Sequence, residues 1–370
     1  MSTKLHIVSF DVPFPPSYGG VIDVFFKIKA LHALGVEINL HCFHYGRPKS
    51  AELEKYCKKV QYYERKTSAS KLLSVDPFIV ATRKSDELLK NLLEDDMPIL
   101  FEGLHCCGYV SYPGLSQRKK IVRTHNIEHD YYRALERVEK KWSRRQYFKR
   151  EADKLQKFES VLNDAQHILA ISPADAVDLS SRYKNVQHVM AFHSNEQVDI
   201  QEGKGSFAFY HGNLEVGENN QAALFLANEV FNAIDYPLVI AGNNPSSELM
   251  EAVEGKSNIT LKSNISTAEI DQLISDAQVN VLPTFQATGI KLKLLAALMR
   301  GRHCMVNAPM VANTGLESLC IIHENASSMR AGLQQLRNTA FTQEDIAKRK
   351  SVLDERFSNR MNAEKILKLI

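Results

Sequence analysis

Long hydrophobic runs are missing from this chain of 370 residues. A membrane-spanning helix needs about 20 consecutive apolar residues, and no segment reaches that length. A strong excess of one charge is missing as well, because the formal net charge is only +3. Nucleic-acid-binding domains generally carry a pronounced basic surface, so this balance argues against a nucleic acid as partner.

Cysteine is scarce and irregularly spaced. None of the spacings typical of zinc sites or disulfide frameworks occurs among the six cysteines, which are Cys42, Cys57, Cys106, Cys107, Cys304 and Cys320. We therefore expect buried, reduced thiols, as in cytosolic proteins. The chain begins MSTKLHIVSFD and passes directly into a strand pattern, which predicts no signal peptide and a cytoplasmic location.

Two motifs associated with bound nucleotides are also absent from the sequence. The pattern G-x-G-x-x-G, which marks dinucleotide-binding folds, does not occur. Asp-x-Asp, which would let a divalent metal bridge two carboxylates to a diphosphate, does not occur either. We therefore predict no resident cofactor and no metal site. A diphosphate bound here would be stabilised by lysines and backbone N–H groups.

A regular alternation of short apolar runs with amphipathic helical patterns is present from end to end. Such alternation predicts parallel sheets with helices on both faces. The strand patterns of the first half are 5–11, 36–43, 98–103, 120–126 and 167–172. Those of the second half are 206–214, 237–243, 257–263, 279–283, 303–307 and 319–324. Helix patterns include 21–35, a long basic stretch at 129–163, and a helix opened by Ser172 and Pro173.

A polar segment without periodicity, 193–206, separates the two halves. We predict an α/β protein of two Rossmann-like doubly wound domains that face each other across a cleft. The first would cover 1–195 and the second 206–345, and a final helix at 346–370 would pack back toward the first domain.

The segment Val279–Met305 reads as strand, Gly-bearing loop, basic helix, turn and strand. Its helix pattern begins at Ile290, and Lys291 and Lys293 lie within the first turn. A helix N-terminus already carries partial positive charge and free N–H donors, so lysines there are unfavourable unless an anion binds. The segment therefore predicts a phosphate or diphosphate site that includes Thr288 and Gly289. The alternative is an amphipathic helix whose lysines face solvent.

Gly-bearing loops follow several other predicted strands. Gly19 and Gly20 follow the first strand pattern, Gly212 and Asn213 follow the first strand of the second half, and Gly242 ends the next. Carboxyl ends of parallel strands meet at one sheet edge, where doubly wound proteins bind ligands. These loops predict a nucleotide pocket, although each one alone is equally typical of a tight turn.

Arg123, His125 and Asn126 lie at or just beyond the end of a strand pattern. A histidine at this edge can hydrogen-bond a substrate hydroxyl or a phosphate. The letters HNIEH (125–129) also match a zinc-protease motif, but that chemistry needs both histidines on one helical face. Because KKIVRTH reads as strand, His125 and His129 should not converge on a metal.

The stretch 133–160 is rich in Lys and Arg, with Trp142, Tyr147 and Phe148 interleaved. A basic helix with aromatic residues can lie on an anionic membrane surface. Acidic residues mixed into the stretch favour a solvated helix packed on the core instead. Peripheral contact with the inner face of a membrane is therefore a secondary expectation.

Four segments resemble the GT-B glycosyltransferases, in particular the bacterial mannosyltransferase-like branch of the large retaining glycosyltransferase family four. They are PFPPSYGGVIDVFFKIKALHALG, RTHNIE, FYHGNL, and TGIKLKLLAALMRGRHCMVN followed by GLESL. The resemblance implies transfer of a hexose, with mannose favoured, from a nucleotide-diphosphate sugar to a glycan or lipid-linked acceptor with retained configuration. It implies that His125 lies near the donor sugar and that Gly212, Gly289, Lys291 and Lys293 lie on loops that contact the nucleotide sugar. We expect Lys291 and Lys293 to take up the charge of the leaving diphosphate.

Two pairs of residues depart from that family's pattern. Many relatives carry two glutamates eight positions apart, one on the sugar and one on the ribose, where this chain has Thr288 and Ala296. An Arg–Lys pair that often holds the diphosphate is replaced by Asn213 and by Asn219 or Asn220. A catalytically silent protein of the same fold, acting as partner or scaffold, is therefore an alternative. A sugar-nucleotide epimerase is a third, with Glu102 as the candidate acid or base.

Overall fold

The computed structural model describes residues 3–285, 292–312 and 314–370. The chain divides into two units, which are residues 1–194 with 357–370, and residues 195–356. Sequence prediction placed the start of the returning tail at 346, whereas the structure assigns only 357–370 to the first unit. The helix before this point belongs to the second unit.

The first unit is built on a parallel sheet in which seven described strands have the order β3-β2-β1-β4-β5-β6-β7. The strands are β1 (Lys4–Ser9), β2 (Glu37–His44), β3 (Lys59–Glu64), β4 (Ile99–Glu102), β5 (Lys120–Thr124), β6 (His167–Ala170) and β7 (Val186–His188). Its helices are α1 (Gly19–Ala33), α2 (Phe78–Ala81), α3 (Asp86–Leu92), α4 (Glu128–Val138), α5 (Trp142–Phe158) and α6 (Pro173–Arg182), and α14 (Asn359–Leu367) near the chain end.

Both faces of this sheet are buried, as the short apolar strands predict. Successive residues Ile7 and Val8 of β1 belong to different apolar clusters, one on each side of the sheet. Leu100 and Phe101 of β4 divide in the same way. Ala363 and Ile366 of α14 join the cluster that contains Val24 and Ile28 of α1, so the chain end packs on α1.

The second unit repeats this design with a parallel sheet in which six described strands have the order β10-β9-β8-β11-β12-β13. The strands are β8 (Ala208–His211), β9 (Leu238–Gly242), β10 (Ile259–Ser263), β11 (Val279–Leu282), β12 (His303–Val306) and β13 (Ile321–Ile322). Its helices are α7 (Gly217–Phe225), α8 (Ser247–Val253), α9 (Thr267–Asp276), α10 (Leu292–Arg300), α11 (Ala308–Val311), α12 (Ala326–Leu336) and α13 (Gln343–Arg356).

The fold class predicted from alternation is confirmed, since both units are doubly wound parallel α/β structures. The helix opened by Ser172 and Pro173 is confirmed as well, because the Ser172 side chain accepts a hydrogen bond from Asp175 N. The long helical stretch predicted at 129–163 consists of two helices. The chain breaks at Glu139–Lys141, where extended backbone separates α4 from α5, and the two helices pack against each other.

Two strands were not predicted, namely β3 and β7. β3 is an edge strand in which only one residue is fully buried, and it includes Lys59, Gln61 and Glu64, so its apolar signal is weak. β7 is the opposite edge and is only three residues long. No helix among the described residues is long and apolar enough to cross a membrane.

Candidate functional site

A buried pair of opposite charges lies on α1, at the carboxyl edge of the first sheet. Asp23 and Lys27 are one helical turn apart, and the Lys27 ammonium lies 2.7 Å from Asp23 Oδ2. The same ammonium lies 2.8 Å and 2.9 Å from the two carboxylate oxygens of Glu102, the last residue of β4. All three side chains are at most 1% exposed. Lys27 therefore links the helix to the strand end through charge.

Arg123, near the end of β5, completes the pairing. Its guanidinium donates to both oxygens of Asp23 at 2.7 and 2.8 Å, and to the carbonyls of Val189 and Met190. Phe192 N also donates to Asp23 at 2.8 Å. Arg123 is fully buried, and its contacts hold this network of charges together. Its contact with a ligand stays a prediction.

The pKa values of the two carboxyl groups follow from these contacts. Burial alone would raise the pKa of Asp23, but Arg123 and Lys27 beside it hold that pKa well below its usual range. Burial likewise opposes ionisation of Glu102, and Lys27 and His125 nevertheless lower its pKa. Both groups are therefore carboxylates at neutral pH.

His125 lies just beyond β5 and is 11% exposed. Its Nε2 is 3.1 Å from Glu102 Oε2 and 3.9 Å from Asp23 Oδ2. The Phe10 ring, which follows β1, meets the imidazole edge-on at 5.3 Å between centroids. His129 lies within α4 and contacts Glu159 at 3.1 Å instead. The two histidines of the zinc-protease pattern thus have different partners, as the sequence predicted.

Asp23, Glu102 and His125 bring three metal-ligand atoms within 4.8 Å of one another. The donor types suit a divalent cation. The two carboxylates are, however, already paired with Lys27 and Arg123, whose side-chain nitrogens lie 2.7–2.9 Å from the carboxylate oxygens. A metal ion would have to displace a buried ammonium, so this cluster fits internal ion pairing better than a metal centre.

Glu128, in the first turn of α4, is a third buried carboxyl group at this edge. Burial raises its pKa to about 7, against the opposing effects of a hydrogen bond from Asn126 and the charge of Arg83. His105 Nδ1 lies 3.9 Å from Glu128 Oε1 and has no hydrogen-bond partner among the described residues. Burial lowers the pKa of His105 well below its usual range. A carboxyl group that titrates near neutrality is suited to proton transfer.

Gly19 and Gly20 begin α1, and the space around them differs. A Cβ on Gly19 would meet nothing within 4 Å, whereas one on Gly20 would lie 2.7 Å from the Phe10 ring. Gly20 therefore allows Phe10 to pack beside His125. Neither glycine has positive φ, so their predicted contact with a ligand depends on close approach rather than on backbone conformation.

In the second unit, a lysine is held at the loop after β8. The Lys293 ammonium donates to Asn219 Oδ1 at 2.8 Å and lies 5.1 Å from the centre of the Tyr210 ring. Asn219 in turn donates to the carbonyl of Asn213 at 3.0 Å. A Cβ on Gly212 would lie 3.0 Å from Asn219 Cγ. The predicted residues Gly212, Asn213 and Lys293 are thus brought together by Asn219.

His211, the last residue of β8, is buried next to this lysine. Burial, assisted by the charge of Lys293, lowers the pKa of His211 to about 3, so the imidazole is neutral at pH 7. Its Nε2 has no hydrogen-bond partner in the described part of the chain.

Close packing explains the glycine at the end of β9. A Cβ on Gly242 would lie 2.0 Å from the Gly212 carbonyl oxygen. Only glycine lets these two loop ends approach, which accounts for Gly242 without a ligand. Nearby, Thr284 donates to Glu218 through its hydroxyl, and its backbone pairs with the Asn307 side chain at 2.7 and 2.9 Å.

Four predicted site residues, Thr288, Gly289, Ile290 and Lys291, lie outside the described residues. Ala296, where many relatives of the resembled family carry glutamate, lies on α10. It packs against the apolar cluster of Phe209, Ala241, Ile274 and Ala277.

Sequence reasoning missed Asp23 and Lys27 as members of the first cluster and Glu128 as a perturbed carboxyl group. A signal was present for the first two. An acid and a base at i and i+4 interrupt an otherwise apolar helical face, and charges in such a position are seldom buried unless paired.

No protein-family model matches the chain. An "Uncharacterized 44.6 kDa protein in cps region" of Klebsiella pneumoniae is 25% identical to it over 316 residues, which is 80% of each chain.

Solved structures resemble the chain over nearly its whole length. Alr3699/HepE of Anabaena, in complex with UDP and glucose, has a TM-score of 0.64 at 10% identity and covers 99% of this chain and 98% of its own. TarM of S. aureus has a TM-score of 0.63 at 12% identity, with 100% and 99% covered. The lipopolysaccharide outer core galactosyltransferase WaaB has a TM-score of 0.61 at 12% identity, with 99% of each chain covered. These neighbours are GT-B glycosyltransferases, so the fold is GT-B, and at such identities the likeness shows the fold alone.

Proposed function

We propose that this protein is a glycosyltransferase that transfers a hexose from a nucleotide-diphosphate sugar to a glycan or lipid-linked acceptor. The proposal includes mannose as the favoured sugar, retention of the anomeric configuration and no requirement for a metal. The GT-B fold supports it, because doubly wound sheets bind nucleotides at the carboxyl edge where the Gly212 loop lies. UDP is bound by the fold neighbour HepE.

The observation that carries the proposal is the position of Lys293. Its ammonium lies in the first turn of α10, against Asn219 and over the Tyr210 ring. A helix N-terminus and a lysine ammonium both attract anions. A diphosphate bound at the Gly212 loop would meet both. In this role Lys293 takes up the leaving charge as the glycosidic bond breaks, and the predicted partner is Lys291.

The test is release of free nucleotide from a panel of UDP-, GDP-, ADP- and dTDP-hexoses, first without acceptor and then with lipid-linked glycans. Lys293→Ala should lower turnover of the accepted donor about 10- to 100-fold, since a charged hydrogen bond contributes about 1.5–3 kcal/mol. Lys262→Ala removes an exposed lysine from β10 and should leave turnover unchanged. Equal turnover by the Lys293 and Lys262 variants would contradict the proposed role.

A catalytically silent GT-B protein is the second candidate, and Ala296 is the observation that favours it. A methyl group packed against apolar residues cannot bind a ribose hydroxyl as a glutamate would. Calorimetry with the nucleoside diphosphates separates the candidates, because a scaffold would bind none of them. The epimerase is disfavoured, since Lys27 keeps its candidate acid, Glu102, ionised and enclosed.

Peripheral membrane contact through the 133–160 stretch is part of the same proposal. Trp142, the first residue of α5, is 75% exposed and is preceded by Lys140 and Lys141. An aromatic ring beside lysines suits an anionic lipid surface. Co-sedimentation with vesicles rich in phosphatidylglycerol should fall for Trp142→Ala, and equal binding by both proteins would count against this contact.

A further inference from the structure

Four ionisable side chains at the carboxyl edge of the first sheet are almost wholly removed from water. Asp23, Lys27, Glu102 and Arg123 are each at most 1% exposed. Buried ion pairs are often no more stabilising than apolar residues of similar volume. A gain in stability therefore does not explain why this cluster of charges lies beside the partly exposed His125. The contacts between the cluster and His125 indicate a role in orienting the imidazole.

The two carboxylates determine where the proton of neutral His125 resides. Nε2 is the imidazole nitrogen that lies 3.1 Å from Glu102 and 3.9 Å from Asp23. An ionised carboxylate only accepts hydrogen bonds, so Nε2 must donate. Neutral imidazole has one N–H, which leaves Nδ1 with a lone pair. Among the described residues, Nδ1 has no hydrogen-bond partner.

Glu102 is itself held in place. Both of its oxygens lie within 2.9 Å of the Lys27 ammonium, which is anchored by Asp23. Asp23 is anchored by Arg123 and by Phe192 N. The two carboxylates are balanced by two cations, so the cluster is neutral without a proton on Nδ1. Arg123 thus holds Asp23, Asp23 holds Lys27, and Lys27 holds Glu102, which contacts the imidazole of His125.

We propose that Glu102, locked by Lys27, is a positioning residue that fixes His125 as the Nε2–H tautomer and presents Nδ1 to substrate as a hydrogen-bond acceptor. This rests on the proposed function for the identity of the ligand. A lone pair accepts from a hydroxyl and repels a phosphate oxygen. His125 therefore contacts a sugar hydroxyl rather than a phosphate group.

The tautomer can be measured without any substrate. The full chain is labelled with ¹⁵N-histidine, and the His125 signals are identified by their loss in His125→Asn. At pH 7.5, His125 should show a protonated Nε2 and an unprotonated Nδ1. Glu102→Gln should change this spectrum, whereas Glu37→Gln, at the amino end of β2, should not. A protonated Nδ1 in the unsubstituted protein overturns the proposal, and this reading needs no variant to fold.

Turnover tests the role in binding. The donor that the protein accepts is compared with its singly deoxygenated analogues. Glu102→Gln should lower kcat/KM for the complete donor about 10-fold or more, and should have no effect with the one analogue that lacks the contacted hydroxyl. An equal loss with every analogue overturns the contact. If no nucleotide sugar is turned over at all, the proposed function fails, while the tautomer measurement still decides the positioning of His125.

Discussion

The carboxyl edges of the two sheets are built from different chemistry. In the first unit, charged groups are buried and paired with one another, as Lys27 is with Asp23 and Glu102. In the second unit, the Gly212 loop is held by amide groups, and Lys293 meets the neutral oxygen of Asn219. The same doubly wound design therefore supports a cluster of paired, buried charges in one unit and a lysine bound by an amide oxygen in the other.

The difference teaches how each edge can bind a ligand. Cations that are already paired with carboxylates attract an additional anion only weakly. The first edge is therefore suited to orienting His125 and to binding a hydroxyl group. A lysine ammonium is a strong hydrogen-bond donor to phosphate oxygens, so the second edge is suited to an anion. Four measurements would break or sharpen this contrast.

The largest expected effect is the loss of a buried cation from the first unit. Lys27→Met leaves Asp23 and Glu102 short of a partner and should lower the free energy of unfolding by about 3–5 kcal/mol. Lys29→Met, on the same helix but half-buried, should cost less than about 1 kcal/mol. Urea denaturation measures both. Similar losses of unfolding free energy from the two substitutions would mean that Asp23 and Glu102 do not need the Lys27 charge as a partner.

The next effect belongs to the second unit and is steric. Gly242→Ala places a Cβ 2.0 Å from the Gly212 carbonyl and should destabilise the protein by about 3 kcal/mol. Gly217→Ala, at the start of α7, meets nothing within 4 Å and should be neutral or slightly stabilising. Thermal unfolding of both variants distinguishes them. A tolerated Gly242→Ala would show that these loop ends are not closely packed.

Glu128→Gln should stabilise the protein at high pH. The folded-state pKa of about 7 lies above the unfolded value near 4.5, so Glu128 costs stability as pH rises through that interval. At pH 8 the variant should gain about 1–3 kcal/mol over the unsubstituted protein, and at pH 4 almost nothing. Asp130→Asn, an exposed neighbour, is the control. A gain independent of pH would contradict the raised pKa.

The last measurement concerns two buried histidines, one in each unit. Burial, assisted by His6, lowers the pKa of His41 to about 3, and His211 has a similar value. The folded state therefore binds fewer protons than the unfolded state between about pH 3 and 6.5. Stability should fall as pH falls through this window, by up to about 1.4 kcal/mol per pH unit for each histidine.

Replacement separates the two contributions. His211→Leu should remove the His211 contribution to the loss of stability at acid pH and leave the contribution of His41 unchanged. Urea midpoints from pH 4 to pH 7 measure this. An unchanged slope in the variant would mean that His211 accepts a proton readily in the folded protein.

Local pattern was sufficient for much of the fold. Runs such as LHIVSFD and HILAIS were recognisable as buried strands because both faces of a covered parallel sheet require apolar residues. β3 was not predicted, because an edge strand does not need a continuous apolar run. The break between α4 and α5 was not predicted either, because the residues on both sides of it follow a helical pattern. At the site, Gly212, Asn213 and Lys293 were predicted, while Asp23, Lys27 and Glu128 were not, since a charged residue in a helix reads as solvent-exposed until its neighbours are known.

The sequence by itself determined the two doubly wound units, the strand ends that carry glycine loops, and the absence of a dinucleotide fingerprint, because these depend on residues within one local window. Only the tertiary structure decided that α1, β4 and β5 bring Asp23, Lys27, Glu102, Arg123 and His125 together. Those residues are as much as 102 positions apart in the chain. Whether a buried charge is paired, and which imidazole nitrogen carries the proton, depends on distances of 3 Å between side chains from different elements, which no local pattern contains.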